Sequence, residues 1–133
     1  MSETKIDEYL KLVGKPFFDF YIESRGWFEK ERAPRHPGVQ GLPGGRVIHT
    51  IQVIKKALEL NQVFNEKEII ECCLVHDIRG CEKLPLTKCQ RMAIEATKGL
   101  PYEKWRPTEC YKFVVLILIS DMWSAFINEK NMS

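Results

Sequence analysis

Apolar residues recur along this chain with the period of an α-helix. Ile6, Tyr9, Leu10 and Val13 fall on one helical face and predict a short amphipathic helix closed by Gly14. After Pro16, the aromatic-rich stretch Phe17 to Phe28 predicts a second helix, interrupted at Gly26. Val47, Ile51, Ile54 and Leu58 (i, i+4, i+7, i+11) form the core stripe of a helix from about Arg46 to Leu60. Asn65, with Glu68 three residues on, has the form of a capping box and opens a helix that the pattern carries to Gly80. Thr87 and Gln90 open another, ending at Gly99, and a last helix is predicted from after Pro107 to about Glu129. The run Phe113 to Ile119 is β-branched enough to suggest a strand, but its continuity with Trp123, Phe126 and Ile127 favours helix. The Pro/Gly-rich segment from Ala33 to Gly45 predicts an ordered loop. These patterns predict an all-α fold, a compact helical bundle.

The 133 residues suit one domain with a modest core. Twenty basic against eighteen acidic residues leave a formal charge of +2, too small to argue for a nucleic-acid surface or an anionic membrane. The acidic N-terminus carries no long apolar core, so neither a signal nor a transit peptide is expected. Phe113 to Ile119 is far shorter than the roughly 20 residues of a membrane span. Cys72, Cys73, Cys81, Cys89 and Cys110 show no zinc-knuckle or CxxC spacing. They read as small buried hydrophobes in a reducing cytoplasm. Cys72 lies one turn before His76, which leaves thiolate ligation open.

Two polar features break the apolar pattern. His76-Asp77 follows Ile69, Ile70, Cys72, Cys73, Leu74 and Val75, and Asp121 is set between Ile117-Leu118-Ile119 and Met122-Trp123. A buried carboxylate costs several kcal/mol unless it is paired or binds a metal. For Asp121 alone, a core-facing Arg or a solvent-facing helix edge would serve as well. Adjacent helical residues point about 100° apart, so His76 and Asp77 share one ion only if it sits close to the backbone. His49 falls at the edge of the apolar arc of its helix, a setting compatible with a pocket mouth. Together, two histidines and two aspartates on three predicted helices would make an N₂O₂ site suited to one divalent ion of Mn, Fe, Co, Ni or Zn.

In order, Gly44-Gly45-Arg46-Val47-Ile48-His49-Thr50, Leu74-Val75-His76-Asp77-Ile78 and Ile119-Ser120-Asp121-Met122 resemble the signature of the HD-domain superfamily of metal-dependent phosphohydrolases. The resemblance covers about Ala33 to Ser124. It implies a helical domain over 33–133 that holds the metal through His49, His76, Asp77 and Asp121, with 1–32 as a helical segment packed on it. It also implies hydrolysis of a phosphorylated small molecule, most plausibly a nucleotide. A divalent ion acidifies water and polarises a phosphoryl oxygen, which is what such hydrolysis asks for. No histidine follows His76, which favours one metal over two.

For general acid/base work the candidates are Glu82, the one carboxylate shortly after the His-Asp pair, and Asp77 through its second oxygen. Arg46, Arg79, Lys83 and Arg25 are the candidate phosphate cations. His36 matches a loop position where related proteins carry histidines before the first ligand. Trp27 and Trp123 suit base stacking or core packing. Two other functions stay open: a phosphodiesterase or exonuclease, and a metal- and nucleotide-binding regulatory module without turnover. A homodimer through Phe17–Phe28 is a further expectation, as is a cytoplasmic location.

Overall fold

Helices alternate with short turns through the whole of residues 2–33 and 43–128, which are the residues described by the computed structural model. In order they are α1 (Ser2–Leu10), α2 (Lys15–Phe28), α3 (Gly45–Leu60), α4 (Glu66–Val75), α5 (Lys88–Thr97), α6 (Tyr102–Trp105) and α7 (Tyr111–Met122). A 3₁₀ turn at Cys81–Lys83 precedes α5, and a π-helical segment, Trp123–Asn128, continues α7. No strand occurs among the described residues. The fold is all-α.

The central elements are α3 and α7, which pack on each other. α4 lies against α3, and α5 against both α4 and α7. α1 covers α3 and α2 covers α4, so Ile6, Leu10, Phe17, Tyr21 and Phe28 enter the same core as Ile54, Leu74, Phe113 and Ile117. On α7 the buried face is Phe113, Val114, Leu116, Ile117 and Ser120. Complete burial of a side chain such as Ile117 contributes roughly 1.5–3 kcal/mol.

Both capping signals act as their chemistry requires. The Asn65 side chain accepts from the Glu68 N–H at 3.3 Å. At α5 both halves of the box form, with Thr87 Oγ accepting from Gln90 N–H and Gln90 Oε1 from Thr87 N–H. Each satisfies an orphan donor of a first helical turn.

Four sequence expectations are corrected. α2 runs unbroken through Gly26, where a Cβ would meet nothing within 4 Å. α4 stops at Val75 instead of Gly80, and Gly80, with φ +92°, closes the turn that follows. The last helix begins at Tyr111 and passes into π geometry at Trp123. Finally, Cys89 and Cys110 are joined in a disulfide, leaving Cys72, Cys73 and Cys81 as buried free thiols. The packing of α5 on α7 brings the two Cα atoms within 5.1 Å, a proximity that a separation of 21 residues does not announce.

Candidate metal centre

His49 sits in the second turn of α3, fully buried, with its ring beside that of His76 at a centroid distance of 5.6 Å. His76 caps the C-terminus of α4, and Asp77 follows it in the turn. Asp121 projects from the last turn of α7.

His49, His76 and Asp77 offer one ligand atom each within 4.8 Å of one another, a group that could hold a metal ion. Asp121 adjoins it: its Oδ1 lies 2.7 Å from His49 Nε2 and 3.3 Å from His76 Nε2. Asp77 Oδ2 lies 3.2 Å from His76 Nε2 and 3.6 Å from His49 Nε2. The imidazoles are buried, whereas the two carboxylates keep about a quarter of their surface open (26% and 22%), so the group is reached from the carboxylate side.

The outer edge of the His76 imidazole fixes what its inner edge can do. His76 Nδ1 is 2.7 Å from the Cys73 carbonyl, which can only accept, so Nδ1 carries a proton. Ser124 Oγ lies 3.0 Å from His49 Nδ1, 2.8 Å from Gln52 Oε1 and 3.5 Å from the His49 carbonyl. In its neutral form the His76 ring therefore turns an unprotonated Nε2 toward two carboxylates. A lone pair and carboxylate oxygens at 3.2 and 3.3 Å repel unless a cation is shared among them. The chemistry of His49, His76 and Asp77, two imidazoles and a carboxylate with Asp121 alongside, is that of a group that could hold a metal ion.

Electrostatics without a metal point the same way. Burial works against ionisation of Asp77 and Asp121, yet the facing imidazoles hold both far below the ordinary carboxylate range. Burial also resists charge on His76, but Asp77 and Asp121 override it and raise its pKa well above the usual value. His49 moves the other way, lowered chiefly by burial and also by its neighbour His76. A proton on His76 Nε2 thus does for the carboxylates what a metal would do.

The remaining sequence candidates divide. Arg46 reaches the edge of the group, with Nη1 3.8 Å from Asp77 Oδ1. Arg79 stacks over Trp27 at 4.8 Å and faces Glu31, as does Arg46. Arg25 is taken up by Asp7 and Glu29. Glu82 and Lys83 are exposed in the 3₁₀ turn, and neither pairs with the four central residues. Trp123 lies under Lys56, 4.3 Å from its Nζ. His36 lies outside the described residues. Glu31, Gln52 and Ser124 were not singled out from the sequence. Ser124 and Gln52 meet only across 72 residues, and a lone serine in a helix carries no local signal of such a role.

No protein-family model, no curated protein and no solved structure matches this chain.

Proposed function

We propose that the protein is a metal-dependent phosphohydrolase of the HD-domain type, acting on a nucleotide or another small phosphorylated substrate. The observation that carries the reading is the convergence of two buried imidazole Nε2 atoms, of His49 and His76, on the carboxylates of Asp77 and Asp121. The order and helical settings of these four residues add to it.

In this reading His49, His76, Asp77 and Asp121 hold one divalent transition metal. Bound there, the ion supplies Lewis acidity toward a phosphoryl oxygen and makes water a stronger acid. The Cys73 carbonyl keeps His76 in the ligating tautomer, and Ser124 faces the outer nitrogen of His49. Asp77 has a second oxygen facing Arg46, and through it can accept a proton from the attacking water. Arg46 offsets charge at the same edge.

A second reading, a metal- and nucleotide-binding module without turnover, is favoured by the position of Glu82, whose carboxylate does not reach the central residues. A panel of nucleotides with Mn²⁺, Co²⁺, Ni²⁺ or Mg²⁺ separates the two. Metal-dependent release of phosphate, lost in Asp77→Ala, supports the hydrolase. Metal binding with no turnover on any substrate moves the module to first place.

For location, no helix among the described residues is long and apolar enough to cross a membrane. We propose the cytoplasm, on the three buried free thiols. The Cys89–Cys110 bridge stands against it, because cytosolic thiols are kept reduced. Alkylation of the protein in fresh cell lysate, with and without prior reduction, decides: two protected cysteines exclude the proposed compartment.

A further inference from the structure

We infer that Glu31 is an internal stand-in for the substrate's phosphate, held between Arg46 and Arg79 at the rim of the metal group. The substrate class rests on the hydrolase reading above, but the clamp itself is a matter of geometry.

The two oxygens of Glu31 face different guanidinium groups. Oε1 lies 3.0 Å from Arg46 Nε, and Oε2 lies 3.4 Å from Arg79 Nη2. The first approach is close but poorly aligned: Arg46 Nε is buried and has no hydrogen-bond partner. Its other neighbour, Asp77 Oδ1, stands 3.8 Å from Nη1, beyond hydrogen-bond reach. Arg46 therefore has two carboxylates nearby and lacks a well-directed acceptor at Nε. An unsatisfied buried donor of this kind favours a ligand that completes it.

Arg79 supplies the exposed half. Its side chain is 81% exposed, and its guanidinium rests on the Trp27 ring, which holds it in place without using its N–H groups. The clamp thus has one half-buried arm, Arg46, beside Asp77 and one arm, Arg79, open to solvent. Phosphate is the anion that suits it, since its oxygens can accept from two guanidinium planes at once and it carries more charge than a carboxylate.

Glu31 is held weakly on the Arg79 side, where the guanidinium is 81% exposed and water and salt weaken the pair, and more closely at Arg46, where the two side chains are 25% and 32% exposed. Its backbone remains tied when the carboxylate swings away, because Glu31 N–H donates to Phe28 O at 3.0 Å and Glu31 O accepts from Arg46 N–H at 3.2 Å. The side chain then competes with substrate at the same donors. Competition of this kind lowers apparent affinity by the fraction of molecules in which the clamp is closed.

The test is titration of inorganic phosphate into the metal-free full chain, followed by calorimetry, for the wild type, Glu31→Gln, Glu31→Ala and the double variant Glu31→Gln/Arg79→Gln. Removing the competing carboxylate is expected to tighten phosphate binding about three- to tenfold in both single variants. The double variant is expected to lose that gain. Equal or weaker binding in folded Glu31→Gln and Glu31→Ala, or no binding in any variant, overturns the clamp. Because binding is read without turnover, the two proposals fail separately. An active hydrolase whose phosphate affinity ignores Glu31 removes the clamp alone, and tighter binding in an inactive protein removes hydrolysis alone.

Discussion

His76 donates its Nδ1 proton to the carbonyl of Cys73, 2.7 Å away and three residues back in the last turn of α4. That bond uses a carbonyl that the end of the helix would otherwise leave unpaired. It also sets the tautomer, so the same contact finishes a helix and aims Nε2 at Asp77 and Asp121. Local backbone chemistry and the proposed metal chemistry meet in this one turn.

Ser124 faces His49 Nδ1 from the π segment after α7. Ser124→Ala removes this outer partner of His49 and leaves the four candidate ligands in the sequence. Outer partners of this kind commonly affect metal affinity 10–100-fold. A weakening of about that size is expected, measured by competition with a chelating dye, with an unchanged helical circular dichroism spectrum.

Proton and metal compete for the same nitrogens, which sets a pH signature. In the metal-free protein, His76 has a pKa raised above its ordinary 6.5, so its contribution to stability is present below 6.5 and lost as pH rises through the folded value. His49, lowered, acts in the opposite sense but with the smaller shift. Asp77 and Asp121 are depressed from 3.8, and their contribution is present above that value and lost as pH falls through the folded ones. Metal-free protein is therefore expected to lose melting temperature as pH rises beyond neutrality. Metal binding needs unprotonated imidazoles, so the increment in melting temperature from added Mn²⁺ should grow as pH is raised from 5 toward 8. Thermal denaturation in chelator and in metal, across that range, measures both slopes.

The disulfide closes a loop between the starts of α5 and α7. Cross-linking a loop of this size restricts the unfolded chain and contributes about 3 kcal/mol. Cys89→Ser with Cys110→Ser is expected to lower unfolding free energy by about that amount in urea. Metal affinity should stay within twofold, since neither cysteine contacts the metal group.

Glu71 is a buried carboxylate with a structural task. It accepts from Gly14 N–H at 2.8 Å and from Gln90 Nε2 at 3.2 Å, tying the turn before α2 to α4 and α5. Truncation leaves buried donors unpaired, at about 1–3 kcal/mol for each such group. Glu71→Ala is expected to cost about 2–4 kcal/mol in chemical denaturation.

The sequence pattern reached the helices whose signals are local. Asn65 with Glu68 and Thr87 with Gln90 are capping pairs written within four residues; the second forms a full box, and at the first only the Asn65 side chain caps while Glu68 accepts from Thr87. His76-Asp77 and Asp121, which interrupt apolar runs where a polar group needs a partner, are brought together by the fold with His49, which its own periodicity does not single out. The end of α4 was not legible: no glycine or proline stands at His76, and the helix stops where the His76 side chain finds the Cys73 carbonyl. Nor were the partners that tune the centre. Ser124 and Gln52 meet His49 through the packing of α7 and its π segment on α3, and Glu31 meets Arg46 and Arg79 across turns. Such pairings arise from tertiary geometry, which periodicity does not encode.

The most direct measurement is the metal content of the purified, metal-reconstituted protein by elemental analysis, for the wild type and for His49→Gln, Asp77→Asn and Asp121→Asn. The account predicts close to one transition-metal ion per chain in the wild type and substantial loss in each folded variant. A wild type that retains no metal at micromolar free Mn²⁺, Co²⁺, Ni²⁺ or Zn²⁺ would contradict it. So would variants that hold as much metal as the wild type.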